Sequence, residues 1–356
     1  MNTVSRWFRR QVANPQVVTL SLALLSVGIA IYFFGRMLAP ALAAIVIAYL
    51  LQGLVSRLTR LGIPHLASVG LVFVAFIAFV TMLLFGLLPP LVRQLTRLVT
   101  QVPQILERAQ TLLLALPKQY PNFVSETQIQ DFISALGSEF IQLGQPVLSF
   151  SMTSLLALVT VIVYLVLVPL LVFFMVRDKD RILNWLGDFL PNERQLTRVV
   201  WHEVDAQIGN YVRGKFWEIL IVGAATFVVF ALLGLQFALL LAVLTGLSVL
   251  IPYVGAAVVT VPVALVALFQ WGLSADFFYA LLAYTIIQAL DGNVLAPLLF
   301  SEVVNLHPVA IIIAILFFGG IWGFWGVFFA IPLATLIHAV LRAWPGAPVE
   351  HAAESA

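Results

Sequence analysis

The stretch Leu66–Leu88, LASVGLVFVAFIAFVTMLLFGLL, decides the fold: it runs 23 residues without a charged side chain. As a helix it covers about 35 Å, enough to cross a hydrocarbon core roughly 30 Å thick. Val17–Phe34, Leu38–Val55 and Ser154–Val176 are runs of the same kind, 18 to 23 residues long with at most one charge each. Four spanning helices are therefore expected in the first half of the chain. Arg6, Arg9 and Arg10 precede the first run and Ala41-Leu42-Ala43 resembles a cleavage site, but the run is too long for a signal peptide and a second follows at once.

Composition agrees. Of 356 residues, 62% are hydrophobic and 10% charged, against roughly 45–50% and about 25% in soluble domains. One water-soluble globule cannot bury that excess, whereas lipid removes the need to. The net charge of +2 and the lack of a basic, aromatic-interleaved run disfavour nucleic acid as a partner. With no cysteine, disulfides, thiolate metal sites and cysteine nucleophiles are excluded.

Two polar islands interrupt the apolar runs. In the first, Pro89 to Phe150, Leu91, Val92, Leu95, Leu98, Val99, Val102 and Ile105 share one helical face and Arg93, Arg97 and Gln101 the other. A second stripe is Ile129, Phe132, Ile133, Leu136 and Phe140, set apart by Pro117 to Pro121. Two amphipathic helices outside or along the bilayer are expected, their apolar faces packed on neighbours. The second island, Arg177 to Lys215, repeats the pattern with Leu196, Val199, Val200, Val204, Ile208 and Tyr211, and Asn192 with Gln195 reads as an N-cap and its capping-box partner. If the N-terminus is inside, all but five of the 18 basic residues fall on the cytoplasmic side, with the first island outside and the second in the cytoplasm.

Beyond Lys215 no Lys or Arg occurs before Arg342. Phe216–Gly234 makes a fifth span. Ala238–Ile251 and Ala256–Phe269 then flank Pro252-Tyr253-Val254-Gly255, each run being 14 residues and about 21 Å as a helix, too short to cross alone. They form either one kinked helix or a re-entrant hairpin. The same choice recurs where Val309–Phe318 and Val327–Val340 flank the turn Gly319, Gly320, Ile321, Trp322, Gly323, Phe324, Trp325, Gly326. Non-helical backbone at membrane depth is tolerated where protein buries it or water reaches it, and transporters use it to present backbone dipoles to a solute. The plainer reading is close helix packing, since Gly319 and Gly323 have small-xxx-small spacing.

Between these segments Asp276–Phe300 is apolar except at Gln288, Asp291 and Asn293. A carboxylate within a span costs several kcal/mol unless it faces a cavity, finds a partner or holds a proton. Asp291 is thus a candidate for binding a coupling cation or proton, with Gln288 and Asn293 as solute ligands. The alternative is an aspartate capping a helix break at the interface. Glu218, three residues after Lys215, reads as half of an interfacial ion pair.

Enzymatic signals fail on inspection. Gly209 to Lys215 has Walker A spacing, but Phe216 stands where Ser or Thr would hold magnesium and an amphipathic helix, not a strand, precedes it. Gly246-Leu247-Ser248 lacks the next glycine of an intramembrane serine protease, Val249 standing there instead. No histidine pair has metal spacing, and His202, His307 and His338 read as interfacial. No enzyme, metal or cofactor is expected.

The blocks Asn210–Lys215 (NYVRGK), Ile251–Gly255 (IPYVG), Gln288–Pro297 (QALDGNVLAP), Asn305–Pro308 (NLHP) and Phe318–Pro332 (FGGIWGFWGVFFAIP) resemble the autoinducer-2 exporter family, nearest its PerM-type permeases. The resemblance implies a bacterial inner-membrane transporter with both termini cytoplasmic, about seven or eight membrane segments and a homo-oligomeric state. It also implies export of a small polar signal or, in some relatives, antiport of sodium or protons. Carried over by position, the transport path is Tyr253, Gly255, Gln288, Asp291, Asn293, Gly319, Gly320, Gly323 and Gly326.

The expected architecture is an all-α polytopic transmembrane bundle. It comprises three transmembrane helices in 1–88, an extracytoplasmic region in 89–152, a fourth helix in 153–176 and a cytoplasmic region in 177–215. A transport core with two broken or re-entrant segments follows in 216–342, then a tail in 343–356. The expected function is secondary transport by alternating access, the broken segments forming hairpins against Asp276–Phe300. The rival from another class is a membrane scaffold that holds a partner through the Arg177–Lys215 helix.

Overall fold

The computed structural model describes residues 15–113, 155–188, 195–252, 254–300 and 307–343, and every regular element among them is helical. In order these are α1 (Pro15–Arg60), α2 (His65–Met82), α3 (Leu88–Leu113), α4 (Leu155–Arg177), α5 (Lys179–Asp188), α6 (Gln195–Leu232), α7 (Ala238–Ser248), α8 (Val254–Trp271), α9 (Ala275–Leu290), α10 (Ala296–Phe300), α11 (Pro308–Trp322) and α12 (Phe324–Ala343). The stripe Ile129 to Phe140, Asn192, Tyr253, Glu302 and the Asn305-Leu306 pair lie outside the described residues. Among the described residues five helices are long and apolar enough to span: Met37–Arg60, His65–Gln101, Val204–Leu232, Val254–Trp271 and Ala275–Phe300. Shorter apolar helices accompany them at Val163–Arg177, Ala238–Ser248, Val309–Trp322 and Phe324–His338. Phe85, Leu232 and Leu298 are 77%, 83% and 74% exposed, a surface that suits lipid and would be costly in water. The chain is a multi-pass helical membrane protein.

The expectation of two separate N-terminal spans is corrected: Val17–Phe34 and Leu38–Val55 both belong to α1, one helix of 46 residues. At 1.5 Å per residue it runs about 69 Å, more than twice the hydrocarbon thickness. Only Gly35, Arg36 and Met37 separate the apolar runs, and one glycine costs a helix about 1 kcal/mol, too little to reverse a chain whose freed amides would find no water. Pro40 is carried inside the helix. The assignment of basic residues to sides assumed a reversal there, and the continuous helix has none.

Two π-helical turns share one sequence cause. Leu83–Leu87 joins α2 to α3 and precedes Pro89, and Asp291–Leu295 joins α9 to α10 and precedes Pro297. A proline has no amide hydrogen and its ring crowds the carbonyl four residues back. Widening the preceding turn relieves that crowding without breaking the rod. At the second turn the Ala296 amide donates to the Asp291 carbonyl, five residues back.

The chain divides into two compact units, Met1–Phe73, Tyr164–Gly214 and Phe300–Ala356 in one, and Val74–Val163 and Lys215–Leu299 in the other. In the first, Tyr211, Val212 and Ile331 form a core with Val46, Tyr49, Leu50 and Phe300 against them, and the buried Tyr211 hydroxyl donates to the Phe328 carbonyl at 3.1 Å. The hairpin of α11 and α12 also belongs here. His307 caps α11 by accepting from the Val309 amide, and Pro308 follows at the first helical position.

In the second unit Phe230, Leu241, Val263, Ala267, Ala280 and Tyr284 are the centre of a larger core. Helix α3 lays Leu91, Leu95 and Leu98 onto it while Arg93 and Arg97 stay exposed, but Val92, expected on the packed face, is exposed, and Gln101, expected on the polar one, is half-buried. Gln94 extends a side-chain oxygen to the Leu240 amide at 2.9 Å, satisfying a free donor in the first turn of α7. Helix α7 lies close along α6: a Cβ on Gly246 would meet the Ile219 carbonyl oxygen at 2.8 Å and Gly223 Cα at 3.2 Å. Small residues at both positions permit that approach.

Candidate functional site

The interruption at Pro252–Gly255 is a reversal of the chain. A Cβ on Gly255 would fall 1.8 Å from the Ser248 carbonyl oxygen, although seven residues of continuous helix would separate the two by about 10 Å. Its halves are unequal, contrary to the two 14-residue runs expected. Helix α7 has 11 residues, whereas α8 has 18 and reaches spanning length. The longer half gains Val254 and Gly255 at its start, past the proline, and continues through Gln270 and Trp271 to Gly272 at φ +66°. Gln270 then ties the far end down, donating to the Gly234 carbonyl and accepting from the Gln236 amide at 2.8 and 2.7 Å. The Gly319–Gly326 turn is likewise a reversal, with Gly323 at φ +58° and a Gly326 Cβ 1.9 Å from the Phe318 carbonyl oxygen. Both segments are hairpins, not long kinked helices.

Asp291 opens the second π-helical turn and is only 9% exposed. Its Oδ1 is enclosed and has no hydrogen-bond partner, and neither has Nε2 of half-buried Gln288, one turn earlier on the same helix. An acceptor and a donor three residues apart on one helix are thus each enclosed without a partner, a costly arrangement. Asn293 is not part of this arrangement: it is exposed and its Nδ2 donates to the Ala289 carbonyl of its own helix at 2.8 Å. Tyr253 lies outside the described residues, while its neighbour Gly255 is buried in the turn. Gly319, Gly320, Gly323 and Gly326 belong to the other compact unit. There Gly319 faces Val327 and Gly326 allows the close approach, whereas Gly320 has open space around it.

Two residues assigned by the sequence to an interface are in fact buried, in the same compact unit as Asp291. Lys215 and Glu218 are 4% and 3% exposed, and Lys215 Nζ stands 2.6 Å from Glu218 Oε2. The ion pair expected from their spacing is present, but it is buried. Lys215 Nζ also donates to the Val249 carbonyl at 2.7 Å, just past the last residue of α7, where the carbonyl end of a helix favours a cation. Across the same turn the Tyr284 hydroxyl donates to the Ala256 carbonyl at 2.8 Å, tying α9 to the start of α8. A buried ion pair thus sits against the end of α7, and α9, which leads into the turn that Asp291 opens, is tied to the start of α8. The signal for Lys215 and Glu218 was their position at the start of a long stretch without basic residues; only packing reveals their burial.

The motifs with enzymatic spacing take structural roles. Gly209 to Lys215 is helical throughout and offers no phosphate-cradling loop, and the Ser248 hydroxyl donates to the Thr245 carbonyl of its own helix. Among the described residues no group of three metal-ligating side chains occurs. The first unit has a separate cleft of about 240 Å³, mostly apolar, with a polar corner where the Tyr49 hydroxyl donates to Asp205 at 2.6 Å and Lys179 pairs with Asp205 at 3.6 Å.

The chain is similar to proteins named as permeases and transport proteins. The chain is 45% identical over 345 residues to "Putative permease PerM" of Escherichia coli (strain K12), covering 97% of this chain and 98% of that protein. It is 26% identical over 316 residues to "Putative transport protein YueF" of Bacillus subtilis (strain 168), covering 87% and 84% respectively. The profile of the AI-2E family transporter matches residues 20–346. Coverage of nearly the whole chain, including every helix that builds the site, makes this protein a member of the AI-2E transporter family.

Proposed function

We propose that this protein is a secondary transporter that exports a small polar solute across the bacterial inner membrane, coupled to movement of a proton or sodium ion. The observation that carries the reading is Asp291: a carboxylate 9% exposed, with an unpartnered oxygen, on a widened turn in an otherwise apolar helical segment. Unsatisfied polar atoms in a helical membrane protein mark a place where a passenger completes the hydrogen bonding. Gln288 is the solute-facing donor next to it, and Asn293, bonded back to its own helix, is a secondary contact at most. Gly255 and Gly326 let the two hairpins turn tightly enough to expose backbone ends. A homo-oligomer and a cytoplasmic face bearing Arg177, Lys179, Arg181 and Arg213 belong to the same reading, the basic residues because positive charge is retained inside.

The test is flux. Asp291→Asn in proteoliposomes, with a panel of small polar solutes and an imposed proton or sodium gradient, is expected to abolish coupled flux while the protein still purifies as a folded species. Unchanged flux would remove Asp291 from the mechanism.

A further inference from the structure

The cleft of the first unit is shaped for a molecule with one polar end. It lies between α1, α5 and α6, and Met175 from the last turn of α4 lines it too. Ile45, Ala48, Ile182 and Trp201 make its wall apolar, and Trp201 is 48% exposed, which leaves a way in on that side. The volume of about 240 Å³ exceeds the roughly 150 Å³ that admits benzene and falls short of the roughly 300 Å³ where drug-sized pockets begin. Its polar lining is Tyr49, Gln52, Lys179 and Asp205. Three of these satisfy one another: the Tyr49 hydroxyl donates to Asp205 Oδ1 at 2.6 Å, and Lys179 Nζ stands 3.6 Å from Asp205 Oδ2. The fourth is left over. Gln52 Oε1, three residues past Tyr49 on α1, is enclosed without a hydrogen-bond partner.

We infer that this cleft binds a neutral aliphatic molecule ending in a hydroxyl, taken up from the lipid phase. Each part of that description comes from the site. Lys179 and Asp205 cancel in charge, so an ionic head group would bring in a charge without a counter-ion. An enclosed acceptor calls for a donor, and a hydroxyl donates while keeping lone pairs for a neighbouring ammonium or amide. It therefore pairs with the Gln52 amide in either orientation. The apolar wall takes the chain. Position agrees as well: the apolar helix Val163–Arg177 ends at the cleft, with Met175 in its wall and Lys179, the first residue of α5, at its polar corner. That is the level at which lipid chains give way to polar groups. Asp291 lies in the other unit, so the site stands or falls independently of coupled flux.

The experiment is photo-crosslinking of the full-length protein in phospholipid nanodiscs with a diazirine-bearing octanol, read by peptide mass spectrometry. Labelling is expected to concentrate on the cleft residues Ile45, Ala48, Met175 and Trp201 and to be competed by n-octanol. At equal membrane concentration n-octane and octanoate should each compete about tenfold less well, the first for want of one hydrogen bond and the second for its charge. Gln52→Leu removes the enclosed acceptor, and is expected to lower cleft labelling about tenfold and to erase the preference for n-octanol over n-octane. Ala48→Phe fills the cleft and should abolish the labelling; should it fail to fold, Gln52→Leu and the competitors still decide the matter. No labelling of the cleft, or labelling spread evenly over exposed apolar positions such as Leu232 and Leu298, overturns the site. Equal competition by n-octane, or native-like labelling in Gln52→Leu, overturns the hydroxyl as the recognised group. Octanoate competing as well as n-octanol overturns the neutral head group.

Discussion

Replacing Lys215 by Met is expected to destabilise the protein far more than its modest change in volume implies. At 2.6 Å and an effective dielectric constant of about 20, the attraction to Glu218 is about 6 kcal/mol. Desolvating the two ions costs several kcal/mol each, so the intact pair contributes little net stability. Losing one partner is another matter. Glu218, 3% exposed, would keep its charge without its cation, and the Val249 carbonyl would lose a charged donor at 2.7 Å, together about 3–5 kcal/mol. Glu218→Gln strands the buried ammonium in turn, leaving it a carbonyl and an amide oxygen but no counter-charge, and should cost a comparable amount. In the double variant neither charge remains orphaned, so its loss should be smaller than that of Lys215→Met alone, giving a non-additivity of about 2–4 kcal/mol. Equilibrium unfolding in mixed detergent micelles, followed by fluorescence of the 8 tryptophans, measures the cycle. A Lys215→Met variant within about 1 kcal/mol of native, or strictly additive effects, would refute the argument that the ion pair is buried and self-contained.

Other expectations are equally concrete. Gly255→Ala and Gly326→Ala should each sharply lower the yield of folded protein on size-exclusion chromatography, because the new Cβ would lie 1.8 and 1.9 Å from a backbone oxygen; Gly320→Ala and Gly292→Ala, with open space around them, should not. Pro297→Ala removes the cause of the wide turn at Asp291–Leu295. Recovering a regular helix would rotate Asp291 by about 100° relative to the following turn, so the variant should be at least as stable as native in thermal unfolding yet impaired in flux. Tyr49→Phe deletes the 2.6 Å hydrogen bond to Asp205 and should cost about 1.5–3 kcal/mol in the same unfolding assay, with full stability in the variant arguing that water replaces the hydroxyl.

Much of this was written along the chain. Uncharged runs long enough to cross lipid specify the membrane class, because a bilayer accepts few other backbones. The period of Leu91, Leu95 and Leu98 announced a packed face, and those residues line the core. The blocks that carry the family resemblance prove to have physical tasks: Tyr211 anchors a core, Pro297 widens a turn, Pro308 starts a helix, and Gly255 and Gly326 admit backbone where no side chain fits. Breaks were less legible. Gly35-Arg36-Met37 resembled a connection and is helix, while Pro252–Gly255 could be read as a kink and is a reversal.

The chain alone determined that Asp291 is a carboxylate in an apolar segment and that Lys215 stands three residues before Glu218, since residue type and helical spacing are local properties. Only tertiary packing decided that these groups are buried, that Lys215 reaches across to Val249, and that Asn293 turns away to its own helix. Burial and partnership depend on which helices meet, and residues 34 positions apart carry no sequence mark of their contact. The charge balance of the site is therefore a property of the assembled second unit, written in no single segment.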